Sequence, residues 1–310
     1  MRTMTLNEVV EDYLDEPTKT GKDKSETAHR RLGEMVAIWG EDKPITDISD
    51  KDVRLFFRRQ KKRVDPRSDR VISGATYNTY VVYYNAMMNH ARKELKQIQY
   101  FPEATCVAEQ EKTDFLEYEE FERLLEELDP LRRDIASICV LTGLRKSNVT
   151  NLRWSQVSKC GEFIRIDGNE MKNGSPIEVP LINKCRDIIS YRRKFNKALL
   201  ERYPYLNKKL EYVFVQKSGD VKLNGQPLKE VCNRTWRNAV ERAGLPKGTR
   251  VHGLRHTFAT WHRRAGTDDR QVRKLAGWNS AKSIERYSHI LAPELIEAAG
   301  NLENIIGKGP

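Results

Sequence analysis

Hydrophobic residues recur at helical spacing through most of the chain, but this periodicity stops between Phe101 and Thr113. The interrupting stretch, FPEATCVAEQEKT, is polar and has no apolar face, which is typical of a linker. Amphipathic segments lie on both sides of it, so each side can bury a core of its own. The 310 residues therefore predict a domain at 1–102, a linker at 103–113, a second domain at 114–291 and a tail at 292–310.

The first domain is predicted to be all helical. Thr5 with Glu8, and Ser49 with Asp52, form capping-box patterns directly before amphipathic segments. A longer helix is expected to begin near Ser73, because aromatic and methionine side chains then recur on one broad face.

The second domain is predicted to be mainly α with a small antiparallel β-sheet, which makes it an α+β domain. Apolar residues at 163–166 indicate one strand, and the alternation of Ile177, Val179 and Leu181 indicates a return strand. Asn173-Gly174 lies between the two strands and is typical of a hairpin turn.

The net charge of +11 and the isoelectric point near 9.3 favour a polyanionic partner, with nucleic acid as the leading candidate. The densest basic run, RRQKKRVDPRSDR, covers Arg58–Arg70. It has two interpretations that the sequence leaves open: a solvated helix end and loop, or a surface that faces DNA.

Composition also argues against several classes of protein. The mean hydropathy is −0.70, and no stretch reaches the roughly 18 uninterrupted apolar residues of a membrane span. The N-terminus lacks the apolar core of a signal peptide, so a cytoplasmic protein without a membrane partner is expected. The cysteines have no zinc-site spacing, so we expect no metal and free, mostly buried thiols at Cys106, Cys139, Cys160, Cys185 and Cys232.

Two segments could hold a phosphate. In TGLRKSNVTNLRW, Gly143 permits a sharp turn, and Arg145 follows at the start of a short helix, where an anion is favoured. In HGLRHTFATWHRRAG, His252 and Arg255 are three residues apart and share one helical face. Each feature alone could be an ordinary solvated helix start.

Two further segments carry a lysine and a tyrosine. Lys172 in MKNGSPIEVPL lies at the predicted hairpin tip, and Tyr287 in LAGWNSAKSIERYSHI lies on a helix that follows Gly277. Taken singly, a lysine at a hairpin tip is usually solvated, and a tyrosine on a helix is usually a core or surface residue. Their occurrence in order with the two arginine segments is what indicates a reactive site.

With these motifs, the chain resembles the tyrosine recombinase (phage integrase) family over nearly its whole length, in a two-domain, Xer-like layout. SGATYNTYVVYYNAMMNHA is similar to the last long helix of the family's DNA-embracing N-terminal domain. The resemblance implies that Arg145 and Arg255 bind the scissile phosphate. It also implies that Tyr287 attacks phosphorus and forms a 3′-phosphotyrosyl bond.

The resemblance implies further roles around that phosphate. Lys172 would protonate the leaving oxygen, and His252 would assist proton transfer at the tyrosine. Trp278 stands where many members have histidine, and its indole N–H can donate to the phosphate but cannot shuttle protons. Asn148 replaces a common acidic residue, and its amide could accept a hydrogen bond from Arg145. Thr79 stands where relatives often carry arginine.

The implied activity is site-specific recombination of double-stranded DNA through a Holliday junction, by a homo-tetramer on two synapsed sites. The apolar tail from Ala292 would dock on a neighbouring protomer, and an accessory DNA-bending protein or directionality factor could join the assembly. The resemblance implies no cofactor, because the phosphotyrosine bond conserves the energy. A type IB topoisomerase and a non-catalytic DNA-binding regulator on the same fold remain the alternatives.

Overall fold

The computed structural model describes residues 2–18, 24–66, 69–108, 115–171, 174–206, 210–217, 221–279 and 284. Contacts between Cα atoms divide the chain into two compact units, residues 1–110 and residues 111–310. Within the described ranges, no helix is both long enough and apolar enough to cross a membrane.

The first unit is built from helices that bury their apolar stripes in a shared core. Its elements are α1 (Leu6–Asp15), α2 (Glu26–Trp39), α3 (Asp50–Lys62), β1 (Val64–Asp65), β2 (Arg70–Val71) and α4 (Gly74–Lys93). The centre is aromatic: the ring of Phe56 lies 5.3 Å from the ring of Trp39 and 5.9 Å from that of Tyr80. The Phe56–Tyr80 pair is edge-to-face and the Trp39–Phe56 pair is tilted. Offset and edge-to-face aromatic pairs stabilise a core beyond what their buried area provides.

Both predicted capping boxes are confirmed. The Thr5 hydroxyl accepts from the backbone N–H of Glu8, and the Glu8 carboxylate accepts from the backbone N–H of Thr5. Ser49 and Asp52 make the same reciprocal pair at the start of α3. Local side-chain chemistry therefore sets where these two helices begin.

The Asp52 box makes stability depend on pH. Hydrogen bonds from Lys43 and from the hydroxyl and backbone N–H of Ser49 lower the pKa of Asp52 from 3.8 to about 2. The ionised carboxylate thus stabilises the fold above pH 3.8, and the contribution is lost as pH falls toward 2. We expect Asp52→Asn to lower the free energy of unfolding by about 1 kcal/mol at pH 7.

Urea titrations between pH 7 and pH 3 measure that difference. The difference in free energy of unfolding between wild type and Asp52→Asn should become smaller as pH falls. Asp50→Asn removes a carboxylate from the same turn but keeps the Lys43 and Ser49 bonds, so it should show no such trend. A difference in free energy of unfolding that stays constant down to pH 3 contradicts the stabilising role of the ionised Asp52 carboxylate.

A short β-ladder joins α3 to α4, so the prediction that the first domain is all helical is wrong at this connection. Val64 pairs with Val71, and Asp65 pairs with Arg70, in antiparallel register. The first of these strands is fixed by Arg63, whose Nη1 donates to Glu34 Oε2 at 2.5 Å and to the Tyr80 hydroxyl at 2.7 Å.

The described part of the predicted linker, residues 103–108, lies against α4. Asn85 donates to the Ala104 carbonyl at 2.8 Å and accepts from the Ala104 N–H at 3.0 Å. Asn78 makes the equivalent pair with Val107, at 2.9 and 2.8 Å. The domain and linker boundaries of the sequence analysis stay a prediction.

The second unit combines helices with one antiparallel sheet, and the predicted fold class is confirmed. Its elements are α5 (Tyr118–Glu127), α6 (Pro130–Thr142), α7 (Lys146–Thr150), β3 (Phe163–Ile166), β4 (Ile177–Pro180), α8 (Asn183–Arg202), α9 (Arg234–Arg242), α10 (Gly253–Arg264) and α11 (Asp269–Ala276). The sheet pairs Phe163 with Pro180 and Ile166 with Ile177, which is the hairpin that the alternating pattern predicted. The unit's main core includes the buried apolar side chains of α6 and β4.

The first described residues of the second unit are hydrogen-bonded to side chains of α10. The Leu116 N–H donates to the Thr257 hydroxyl at 3.0 Å, and the Trp261 indole N–H donates to the Leu116 carbonyl at 3.0 Å. Arg264 adds two hydrogen bonds to the Glu117 carboxylate, at 2.5 and 3.0 Å. We call residues 115–117 the strap.

All five cysteines are free, as expected, but the expectation that most are buried is wrong. Cys139 and Cys185 are buried, whereas Cys106 and Cys160 are exposed and Cys232 is half-buried. Burial raises the pKa of Cys139 to about 12 and that of Cys185 to about 11, so both thiols are neutral.

Candidate functional site

The turn between α6 and α7 presents the first candidate arginine. Gly143 ends α6 in the left-handed conformation, with φ of +64°, and its N–H donates to the Cys139 carbonyl at 3.0 Å. Arg145 then occupies the N-cap of α7. Its Nη1 is buried and has no hydrogen-bond partner among the described residues. A buried donor left unpaired is costly, so this guanidinium is arranged for an acceptor.

The N-terminal turn of α10 presents two further candidates. His252 is exposed at the N-cap, and Arg255 lies one turn later with only 6% of its surface exposed. The Arg255 guanidinium donates through Nη1 to the Gly143 carbonyl and through Nη2 to the Ala276 carbonyl at 2.8 Å. These carbonyls belong to the C-terminal ends of α6 and α11, which carry partial negative charge. The Arg255 guanidinium is therefore held against the backbone of Gly143, two residues before Arg145.

Trp278 lies beside this arginine. Gly277 ends α11 with φ of +63°, and the Trp278 ring centroid then lies 4.9 Å from Arg255 Cζ. An indole face attracts a guanidinium and shields it from water. The structure thus shows a contact between Trp278 and Arg255. Donation of the Trp278 N–H to a phosphate stays a prediction.

Arg145 and His252 line one cleft of about 640 Å³. The sequence analysis did not single out the other cations of this cleft, which are Lys146, Arg237, Lys247 and Arg250. Among the described residues that line the cleft, the one acidic side chain is that of Glu230, whose carboxylate lies 3.6 Å from the Lys146 ammonium. The excess of positive charge suits a polyanion. The sequence carried a signal for two of these cations, because Lys247 and Arg250 lie five and two residues before His252.

Two predicted site residues, Lys172 and Tyr287, lie outside the described residues. The structure describes the positions that flank Lys172 and Asn173. Met171 is buried, and the Gly174 N–H donates to the Met171 carbonyl at 3.0 Å, with Gly174 in the left-handed conformation. The structure therefore brings together Arg145, His252, Arg255 and Trp278, and leaves the lysine and the tyrosine as predictions.

The expected support of Arg145 by Asn148 is not seen at Nη1. The Asn148 amide nitrogen instead lies 2.9 Å from the Met171 sulfur. Thr79, the other departure, donates to the Ala75 carbonyl at 2.9 Å on α4. No group of three or more His, Cys, Asp or Glu side chains in the described part of the chain is arranged to hold a metal ion.

Fold and cleft together define the class of protein. It is mainly helical and has two units, and the second unit holds Arg255 on two carbonyls. At the basic cleft of that unit, Arg145 has a buried donor without a partner in the described part of the chain. The phage integrase family matches residues 114–293, which is more than half of the chain. The chain belongs to the phage integrase family, and the resemblance found in the sequence is confirmed.

Individual proteins with similar sequences are also integrases and tyrosine recombinases. The integrase of Salmonella phage P22 is 27% identical over 75% of this chain and 58% of its own length. The tyrosine recombinase XerC of Oceanobacillus iheyensis is 32% identical over 59% of each chain. The chain thus spans less than two thirds of either relative. The integrase of transposon Tn1549, solved with transposon right end DNA, has the same fold, with a TM-score of 0.71, 17% identity and coverage of 92% and 95%.

Proposed function

We propose that this protein is a site-specific tyrosine recombinase that cleaves and rejoins double-stranded DNA. The observation that carries the proposal is the arginine pair: two backbone carbonyls hold Arg255, and Arg145 presents a buried Nη1 that has no hydrogen-bond partner among the described residues. Two fixed guanidinium groups suit the non-bridging oxygens of a phosphodiester, whose negative charge increases in the transition state.

In the proposed reaction, the Tyr287 hydroxyl oxygen attacks the phosphorus and the bond to the 5′ oxygen breaks. His252 takes part in removing the tyrosine proton, and Lys172 delivers a proton to the departing 5′ oxygen. The result is a 3′-phosphotyrosyl bond and a free 5′-hydroxyl. Attack by the 5′-hydroxyl of a second strand reverses the step and rejoins the DNA.

The proposal extends to the assembly. Residues 1–102 act as a core-binding domain, residues 114–291 as the catalytic domain, and residues 292–310 as the tail that docks on a neighbouring protomer. Four copies then act on two synapsed sites through a Holliday junction. The family membership and the basic charge support this arrangement, and an accessory DNA-bending protein or directionality factor would act on the same complex.

A nicked suicide duplex tests the chemistry. The DNA site is first selected by the protein from a random duplex library, and a nick beside the cleavage position then lets the short product diffuse away. Wild-type protein should accumulate a covalent protein–DNA adduct on a denaturing gel. Tyr287→Phe should form none, because it lacks the attacking oxygen, and should keep its affinity for the same duplex.

Mass spectrometry of the adduct identifies the linked residue. An adduct formed by Tyr287→Phe, or one mapped to another side chain, contradicts the assigned nucleophile. Relaxation of supercoiled plasmid without strand exchange between two sites would instead show a topoisomerase.

A further inference from the structure

The first unit carries a set of cations that the proposed chemistry does not use. Arg58, Arg59, Lys61, Lys62 and Arg70 are all exposed, and none of them lies within ion-pair distance of a carboxylate among the described residues. We call residues 58–66 and 69–71 the basic ribbon. A surface that binds no partner can also be exposed and charged. Whether this surface binds one is therefore judged from the side chains that lie between these cations.

An apolar pair lies among them. Val64 and Val71 are direct cross-strand partners, and 47% and 57% of their surfaces are exposed. β-branched residues on paired strands form a flat apolar face. A solvated loop gains nothing from such a face, whereas a partner that covers it gains apolar contact. The surrounding positive charge indicates that this partner is polyanionic.

The ribbon is already ordered for such a contact. Arg63 holds its base through Glu34 and the buried Tyr80 hydroxyl, and the Ile72 N–H donates to the Arg63 carbonyl at 2.9 Å. Hydrogen bonding to Glu34 raises the pKa of Arg63, which keeps the pair charged. A surface held in one conformation loses little entropy when it binds.

We propose that the basic ribbon lies in the major groove of duplex DNA, with its cations on the flanking phosphates and the valine pair against base edges. A two-stranded ribbon fits the width of this groove, and thymine methyl groups there offer an apolar surface to Val64 and Val71. The proposal rests on DNA being the substrate, as proposed above, and adds a second contact in the first unit. Its phosphate contacts make the affinity depend on salt.

The salt dependence of binding tests the cations. Affinity of the full chain for a fluorescent 30-base-pair duplex of random sequence is measured between 50 and 200 mM salt. Lys62→Ala with Arg70→Ala should lower the slope of log affinity against log salt by about 2, since each phosphate contact contributes roughly 0.9. Over this fourfold salt range, the double variant should lose about 12-fold less affinity than wild type.

Lys51→Ala with Lys93→Ala is the matched control, because it removes the same charge from the opposite ends of α3 and α4. Its slope should stay near that of wild type. If both double variants change the slope equally, only net charge matters and the ribbon is not a specific contact. If neither changes it, the ribbon does not touch phosphate.

The valine pair needs its own variant. Val64→Thr with Val71→Thr keeps β-branching and therefore the ladder, but it makes the face polar. We expect affinity to fall several-fold with an unchanged salt slope. Unchanged affinity overturns the apolar contact. A changed sedimentation coefficient of the DNA-free protein, with unchanged DNA affinity, would show a protein-binding surface.

The binding experiments on the basic ribbon and the cleavage experiment on Tyr287 can succeed or fail independently. Absence of a phosphotyrosyl adduct together with a lowered slope in Lys62→Ala/Arg70→Ala would refute the chemistry and support the ribbon. An adduct together with an unchanged slope would support the chemistry and refute the ribbon. A wild-type protein that binds no duplex DNA would refute both.

Discussion

Arg255→Lys is expected to slow formation of the covalent DNA adduct by about 10²–10³-fold while leaving the protein folded. A lysine keeps the positive charge but has a single nitrogen. It cannot satisfy the Gly143 carbonyl and the Ala276 carbonyl and still present a planar fork to the phosphate. Single-turnover cleavage of the nicked suicide duplex measures the rate, and thermal unfolding checks the fold.

Arg264→Lys is the matched control, because it makes the same substitution on the same helix at an exposed pair with Glu117. Exposed pairs contribute little, so its cleavage rate should stay within about twofold of wild type. Equal rates for the two variants would remove Arg255 from the proposed phosphate clamp.

Gly143→Ala is expected to have the largest effect on stability, about 2–5 kcal/mol, together with a loss of cleavage. The glycine has φ of +64°, and an added Cβ would lie 2.6 Å from Phe258 Cδ1 and 2.7 Å from its Cε1. Relief of that clash moves either the Phe258 ring or the Gly143 carbonyl that Arg255 binds. Urea unfolding measures the stability of the variant.

Gly161→Ala separates backbone strain from the clash. Gly161 has φ of +73°, but no atom of the described residues lies within 4 Å of an added Cβ, so only the strain of about 1–2 kcal/mol should appear. Adding Phe258→Leu to Gly143→Ala should restore part of the lost stability. If Gly143→Ala is no worse than Gly161→Ala, Phe258 does not restrict the turn.

Sequence was sufficient wherever the determining interaction is local. The capping boxes at Thr5 and Ser49 act over three residues, so their side chains alone locate the helix starts. The β3–β4 hairpin follows from a period of two on either side of a turn. The sharp turn at Gly143 and the helix end at Gly277 likewise follow from local conformational freedom.

Sequence was insufficient where distant segments meet. Nothing near Arg255 in the chain indicates that its guanidinium ends on the Ala276 carbonyl, because that contact depends on how α10 packs against α11. The Asn148 amide was expected near Arg145, but packing of the hairpin base brings the Met171 sulfur to it instead. The β1–β2 ladder was missed because two residues per strand give no readable alternation.

The expectation that most cysteines are buried was wrong for a related reason. A free cysteine is usually buried, but exposure depends on the element that carries it. Cys106 follows α4 in an irregular segment and Cys160 occupies a surface turn, and neither position shows an apolar periodicity that would hold the thiol inside. Cys139 and Cys185 do lie on the apolar faces of α6 and α8.

The strap has a mechanical consequence. Leu116 is bonded to α10 at Thr257 and Trp261, and Trp261 is six residues from Arg255, or about 9 Å along the helix axis. A helix transmits axial and bending load as a stiff rod. A displacement of Leu116 would therefore act directly on α10, the helix that carries Arg255.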